Sequence, residues 1–313
     1  MMMLLKNRSR KFIFNFVISI LILLGTHQLV MAASCCGAGF TIPSIITSDD
    51  KAQLALSYTF SKVHADVLPN GDWRERRQDD HSQILKLEGA HIFEDRWQAG
   101  LSLSFQDRMR SGAMADQARG LGDITGQLAY EYLPDWNYNP YRPKGIGYLS
   151  LIAPTGRSVN ESTDGSGIDA RGRGFWGIGL GTILTKNWGG WDANSNLEIH
   201  QSFPKSVHNQ QIDGTLYPGR GGSLALGSGY NWNSIRFGGL INWIYEDPIN
   251  VRGTPASTGT LQRYSNGTVV LSYLLETNAN ASISYTDQTL FGSPTNTSLS
   301  KSVTLFFQQR WER

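Results

Sequence analysis

The chain has 313 residues, a formal net charge of +2 and only 17% charged residues, below the roughly 25% usual in soluble domains. Four basic residues (Lys6, Arg8, Arg10, Lys11) open the chain; without them Lys plus Arg falls from 28 to 24 against 26 acidic residues, so net charge offers no case for nucleic acid as a partner. After residue 24 no apolar run approaches the ~18–20 residues of a spanning helix, which excludes a helical membrane protein.

Those basic residues precede an apolar run, Phe12 to Leu24, and then small residues at Ala32, Ala33 and Ser34. Residues 1–34 therefore read as a secretory signal peptide cleaved near 32–34. The two cysteines, Cys35 and Cys36, are adjacent and have no distant partner for an intrachain disulfide. Ala32-Ala33-Ser34-Cys35 resembles a lipobox in which Cys35 would carry lipid, although leucine is expected where Ala32 stands. Ordinary cleavage leaving two free or intermolecularly paired thiols is the other reading. Residues 35–51 are expected to be a short periplasmic segment, too short for a folded plug, and 52–313 a single domain.

From there the chain alternates with period two, the signature of strands with one apolar and one polar face. The first strand, about Gln53–Lys62, sets Leu54, Leu56, Tyr58 and Phe60 against Ala55, Ser57, Thr59 and Ser61. The second, about Gln83–Phe93, is less clean because Ile84 and Ile92 share a face with Lys86 and Glu88. The third starts at Trp97. In the fourth, Gly120–Leu133, Ile124, Leu128, Tyr130 and Tyr132 oppose Asp123, Thr125, Gln127, Ala129 and Glu131. The fifth, about Gly145–Ala153, is apolar on both faces. Strands follow from Trp176, from Trp191 and over about Gly222–Asn231. The last four carry Ile235–Tyr245, Val269–Leu275, Ala281–Tyr285 and Leu299–Trp311.

About twelve strands result, and their connections alternate. Long loops begin near residues 64, 107, 154, 204, 247 and 287, and shorter turns lie between them. That is the pattern of a closed antiparallel transmembrane β-barrel with long external loops, short periplasmic turns and both termini on the short-turn side. Closure has a physical cause: an unpaired N–H or C=O in hydrocarbon costs several kcal/mol, so the last strand must pair with the first. Trp97, Trp136, Trp188, Trp191, Trp232 and Trp311 cluster on the short-turn side, where an aromatic girdle belongs. The apolar strand ending at Trp311 resembles the recognition signal of the outer-membrane assembly machinery, departing from it in the Glu312-Arg313 extension. The expected location is the outer membrane of a Gram-negative bacterium, with its lipid, that machinery and a small solute as partners.

Strand parity sorts the charges. Lys86, Glu88, Asp123, Glu131, Asp192, Glu198, His200, Arg236, Glu246 and Arg310 should face the lumen, and Asp107 and Lys301 should sit on the lipid side near an interface. The lumen set reads either as a polar pathway or as cross-strand pairs filling a narrow barrel. Enzyme chemistry has little support. His200-Gln201-Ser202 resembles the His-x-Ser pair of the outer-membrane phospholipase, but that family places the pair on the lipid side and these residues have lumen parity. No cofactor or metal is expected, since the six histidines are scattered and no spaced ligand set occurs.

Two stretches carry a family resemblance: Gly120-Leu121-Gly122-Asp123-Ile124 followed by Tyr130-x-Tyr132, and Ala153-Pro154-Thr155-Gly156. They resemble the outer-membrane transporter proteins grouped with the phenol meta-degradation pathway. The resemblance implies a barrel admitting small, often aromatic or hydrophobic, compounds, and Asp123 as a partner for a nearby arginine or loop N–H. The distantly similar long-chain fatty-acid channels have more strands and an N-terminal hatch for which this chain has no room. The preferred function is thus a channel or uptake protein for small molecules. The alternative is a structural or surface barrel with a plugged lumen and partner-binding external loops.

Overall fold

The computed structural model describes residues 44–111, 116–137, 139–162, 167–209, 212–254, 256–276 and 278–313. The segment read as a signal peptide, together with Cys35 and Cys36, lies outside the described residues. In chain order the strands are β1 (Ala52–Val67), β2 (Trp73–Glu75), β3 (Asp80–Phe93), β4 (Trp97–Arg110), β5 (Asp116–Leu121), β6 (Ile124–Leu133), β7 (Lys144–Ala153), β8 (Gly177–Trp188) and β9 (Trp191–Ser202). There follow β10 (Lys205–His208), β11 (Asp213–Tyr217), β12 (Arg220–Trp232), β13 (Ile235–Glu246), β14 (Asn250–Thr254), β15 (Gln262–Glu276), β16 (Ala279–Asp287) and β17 (Thr297–Trp311).

Fourteen of these form one sheet, and β1 pairs with β17 from Ala52↔Trp311 to Val67↔Thr297. Since β2 and β5 are short additions beside β1 and β4, a closed antiparallel barrel of twelve staves remains. Its two faces are inverted relative to a water-soluble sheet. On β1 the side chains of Leu54 and Leu56 are 45% and 44% exposed, whereas Ala55 and Ser57 between them are 5% and 2% exposed. A continuous belt of exposed Leu, Ile, Phe and aromatic residues is stable only against lipid, and closed barrels of this kind sit in the bacterial outer membrane. Lys301 bonds Asp287 at 3.2 Å and Asp107 bonds Arg119 at 3.0 Å, so the charges of lipid parity are paired beside the long-loop rim. Trp97, Trp188, Trp191, Trp232 and Trp311 are exposed at strand ends beside the short-turn rim, and Trp136 lies exposed in the β6–β7 connection.

Two expectations need correction. The stretch Gly120–Leu133 is not one regular strand. Leu121 opposes Phe105 on β4 and Thr125 opposes Ser102, so four steps along β5–β6 match three along β4. This bulge sets Asp123 in the break between two strands rather than on the wall of one. Second, residues 44–50, expected outside in the periplasm, turn into the short-turn end of the barrel. Ile45 packs on Ala129, Ile146, Tyr148 and Ile183, and Ile46 on Ala90 and Ile92. Gln98 holds Ile46 by both backbone groups, accepting from its N–H at 2.7 Å and donating to its carbonyl at 3.1 Å. Gly100 leaves the space in which the Ser44 carbonyl rests, since a Cβ there would stand 2.1 Å from that oxygen. The cause is burial of two isoleucines in a seat lined by apolar inward positions. That seat accounts for Ile92 and for the two apolar faces of β7.

Candidate functional site

The lumen charges fall into two groups. Toward the short-turn end they form pairs that tie the wall together and hold the N-terminal segment. Arg236 donates twice to Asp192, at 2.7 and 2.6 Å, with both groups buried. Lys144 reaches Glu131 at 3.2 Å and Asp49 at 3.3 Å, Arg310 reaches Asp50 at 3.1 Å, and Lys86 pairs with Glu88 at 2.8 Å. Between the ends the lining is mostly amide and hydroxyl. The side-chain amides of Asn194 and Asn242 are buried and have no protein partner on either atom. Buried amides of this kind call for water or a polar solute, which makes this part of the barrel a wet interior.

At the external end residues 154–162 and 167–176 fold across the mouth. Their carboxylate anchor is Asp123, which accepts from the backbone N–H of Gly156 at 3.0 Å, of Arg173 at 2.7 Å and of Gly174 at 3.4 Å. Thr155 Oγ1 donates to the Gly122 carbonyl at 2.7 Å, and Arg171 Nη1 to the Arg119 carbonyl at 2.7 Å. The approach is close enough that a Cβ on Gly172 would lie 2.4 Å from Asp123 Oδ1. Here the two stretches that carry the family resemblance meet, Gly122-Asp123 against Thr155-Gly156.

From this anchor Arg173 extends its guanidinium to the far wall. It bonds both carboxylate oxygens of Glu246 on β13 and approaches His200 Nε2 on β9 at 2.6 Å. In the barrel order β13 stands five staves from β6, nearly opposite it, so one residue links two walls across the mouth. His200 Nε2 also meets Glu246 at 3.1 Å, its Nδ1 stands 3.7 Å from Glu198, and Tyr148 donates to Glu198 at 2.9 Å. Both ring nitrogens of His200 therefore face charged groups, Arg173 and Glu246 at Nε2 and Glu198 at Nδ1, rather than a serine nucleophile. The structure brings together Asp123, Glu198, His200 and Glu246 from the expected lumen set. Arg173 and Lys144 lay outside that set because residues in loops and at strand edges carry no clear parity signal.

A second tie fixes the loop from outside. Lys205 bonds Glu161 at 2.6 Å and the Gly174 carbonyl at 3.0 Å, and Ser158 donates to Glu161 at 2.9 Å. Partial burial alone would raise the Glu161 carboxyl, but the Lys205 and Ser158 hydrogen bonds outweigh it and hold it below its ordinary 4.5. A depressed carboxylate stabilises the fold above its unfolded value and loses that contribution as pH falls through the folded one. Lys205→Met should therefore reduce amide-exchange protection over residues 159–162 at neutral pH and make no difference well below 4.5. Phe175 then packs on Val207 and Leu216 of a three-stranded external sheet, β10–β11–β14. Between the loop and the Arg173–Glu246 pair lies a cavity of about 340 Å³, bordered by Val159, Arg173, Phe175, Glu246, Ile249 and Gln262 among others.

No family model and no curated protein matches the chain. Among solved structures it is similar to the COG4313 outer membrane channel from Pseudomonas putida F1. That match has a TM-score of 0.70 at 13% identity over 89% of this chain and 100% of that one. The β domain of the Bordetella autotransporter BrkA gives a TM-score of 0.47 at 15% identity, over 83% of this chain and 100% of that one. The TodX deltaS2S3 mutant monoaromatic hydrocarbon channel gives 0.45 at 10%, over 84% and 91%. The first establishes the barrel fold independently of the sequence pattern; the other two are too remote to argue from.

Proposed function

We propose that this protein is an outer-membrane channel for small solutes, in which the 340 Å³ cavity is the entry and Arg173 the latch beneath it. The observation that carries the reading is the span of Arg173 from the Asp123 anchor to Glu246: an ion pair crosses the mouth above a polar interior with unpartnered buried amides. A merely structural barrel has no need of a cavity opening onto such a pair. A solved structure with the same barrel fold carries the name of an outer membrane channel, which supports this reading. Val159, Phe175 and Ile249 give the cavity an apolar side, in keeping with a small hydrophobic or aromatic solute of the kind the phenol-pathway resemblance implies.

In planar bilayers the protein should show discrete conductance, and Arg173→Ala should raise it by freeing the mouth. Silence from both proteins, each folded as judged by heat-modifiable gel migration, would sink the proposal. A second reading has its own support, because one end of the barrel holds residues 44–50 and the other holds residues 154–162 and 167–176. A surface barrel bound by partners through β10–β11–β14 would stay silent, and deletion of that sheet would abolish partner binding without changing permeability.

A further inference from the structure

On the lipid face beside the long-loop rim, two arginines differ from the cations around them. Lys62, Arg119 and Lys301 lie on the outward side near this rim, and each is tied to a carboxylate: Asp79 at 2.6 Å, Asp107 at 3.0 Å and Asp287 at 3.2 Å. Arg220 opens β12 on the same face as the exposed Leu224 and Leu226, and Arg263 on β15 stands opposite the exposed Tyr245. Both arginines are exposed. Among the described residues neither guanidinium pairs with a carboxylate, and their one side-chain hydrogen bond runs from Arg263 Nε to Thr295 Oγ1 at 3.2 Å. The neighbouring Asp247 is engaged elsewhere, accepting from the Tyr245 hydroxyl at 2.9 Å and from the backbone N–H of Arg220 at 3.0 Å.

Cross-strand register sets these arginines around one groove. Gly222 pairs with Ile199 on β9 and with Tyr245 on β13, and Tyr245 pairs in turn with Arg263, which makes one row across the outward face. Gly222 is the notch in that row, bare backbone between two large exposed side chains. Arg220 stands two residues above the notch on the same strand, and Leu224 and Trp243 pair in the row below it. The groove so formed measures about 380 Å³ and its walls are mainly apolar. Farther from the rim a second depression, of about 450 Å³, lies over Gly239 and Gly267 between Ile241 and Val269. At ~3.3 Å per residue and ~4.8 Å per strand, the Cα atoms of Arg220 and Arg263 are about 12 Å apart.

We infer that Arg220, Arg263 and the Gly222 groove form a binding site for lipid A, the phosphorylated and multiply acylated diglucosamine of the outer leaflet. A guanidinium facing hydrocarbon needs an anion, and here the protein supplies none. Phosphate is the anion that fits, because the planar fork of arginine bonds two of its oxygens at once. The apolar groove directly beneath calls for acyl chains on the same ligand, and the depression farther in has room for more of them. The spacing of the arginines is on the scale of a diglucosamine with a phosphate at each end, whereas phosphatidylglycerol brings one phosphate. The site requires only the outer-membrane location and is independent of what crosses the lumen.

The test is lipid binding followed by native mass spectrometry, with protein purified in detergent from outer membranes of cells expressing the full chain. Added diphosphoryl lipid A should be retained by the unaltered protein. Arg220→Gln with Arg263→Gln should weaken that binding by about tenfold or more, the effect of losing charge-assisted contacts to phosphate. Lys62→Gln with Lys301→Gln removes the same charge from carboxylate-paired positions and should leave binding unchanged. Dephosphorylated lipid A, deacylated lipid A and phosphatidylglycerol should each bind the unaltered protein more weakly than diphosphoryl lipid A. Equal loss in the two double variants would overturn the site in favour of diffuse surface charge. Equal binding of the dephosphorylated or the deacylated form would overturn the phosphate clamp or the groove, and equal binding of phosphatidylglycerol would assign the surface to phospholipid instead. Should the arginine variant fail to fold, as judged by heat-modifiable gel migration, the lipid comparisons on the unaltered protein decide the question.

Discussion

Leucine in place of Gly100 should expel residues 44–50 from the barrel and raise the conductance of the reconstituted protein. The glycine lies on β4, held by β3 on one side and β6 on the other, so its backbone cannot retreat. A Cβ there would stand 2.1 Å from the Ser44 carbonyl, and the displaced partner must be the segment. What is lost is the burial of Ile45 and Ile46, about 1.5–3 kcal/mol for each side chain, together with the two hydrogen bonds between Gln98 and the Ile46 backbone. Gly126→Leu is the control, because nothing lies within 4 Å of a Cβ at that position. Conductance and protease sensitivity at Lys51 should rise together in the first variant and in neither measurement for the control. A folded Gly100→Leu barrel with unchanged conductance would mean that the segment does not obstruct the path.

The second large effect concerns stability. Asp192→Ala should cost about 3–5 kcal/mol, the usual penalty for stranding one member of a buried ion pair. The site is built around that pair. The Arg236 guanidinium passes over Gly229 and Gly238, where a Cβ would lie 2.5 and 2.6 Å from it, and it ends in two hydrogen bonds on Asp192. Removing the carboxylate takes from a buried cation the two hydrogen bonds that offset its desolvation. Asp192→Leu combined with Arg236→Met should recover much of the loss, because an apolar pair of similar volume avoids the desolvation that opposes the native one. Urea titration read by heat-modifiable gel migration separates the outcomes. Equal destabilisation in the single and double variants would show that packing around Arg236, not its charge, matters here.

Period-two patterning made the staves legible because the pleat forces successive side chains to opposite faces, and lipid on one side leaves no tolerance for slippage. The turns at Glu94–Arg96 and at Trp232–Asn233 were readable for the same reason, since the apolar set changes register there. Glu131, Asp192, Arg236 and Arg310 could be placed on the inner face from parity alone. Their partners could not. Lys144 begins a strand whose faces are both apolar, and Asp49 and Asp50 precede the first strand, where no period exists.

The inward isoleucines were the unread signal. Ile92, Ile146 and Ile183 break the polar face of three strands, and each break marks contact with Ile45 or Ile46. The two motif stretches had a meaning that neither showed alone: Gly122-Asp123 and Thr155-Gly156 are the two halves of one loop anchor, thirty-three residues apart and in direct hydrogen-bond contact.

By itself, then, the sequence determined a twelve-stave barrel and which rim carries the long loops, because both follow from local alternation and from the cost of an unpaired strand edge in lipid. The tertiary structure alone decided that residues 44–50 occupy the lumen and that Arg173 spans the mouth. Each of these depends on contacts between segments far apart in the chain, whose closeness is set by how the barrel curls rather than by any local repeat.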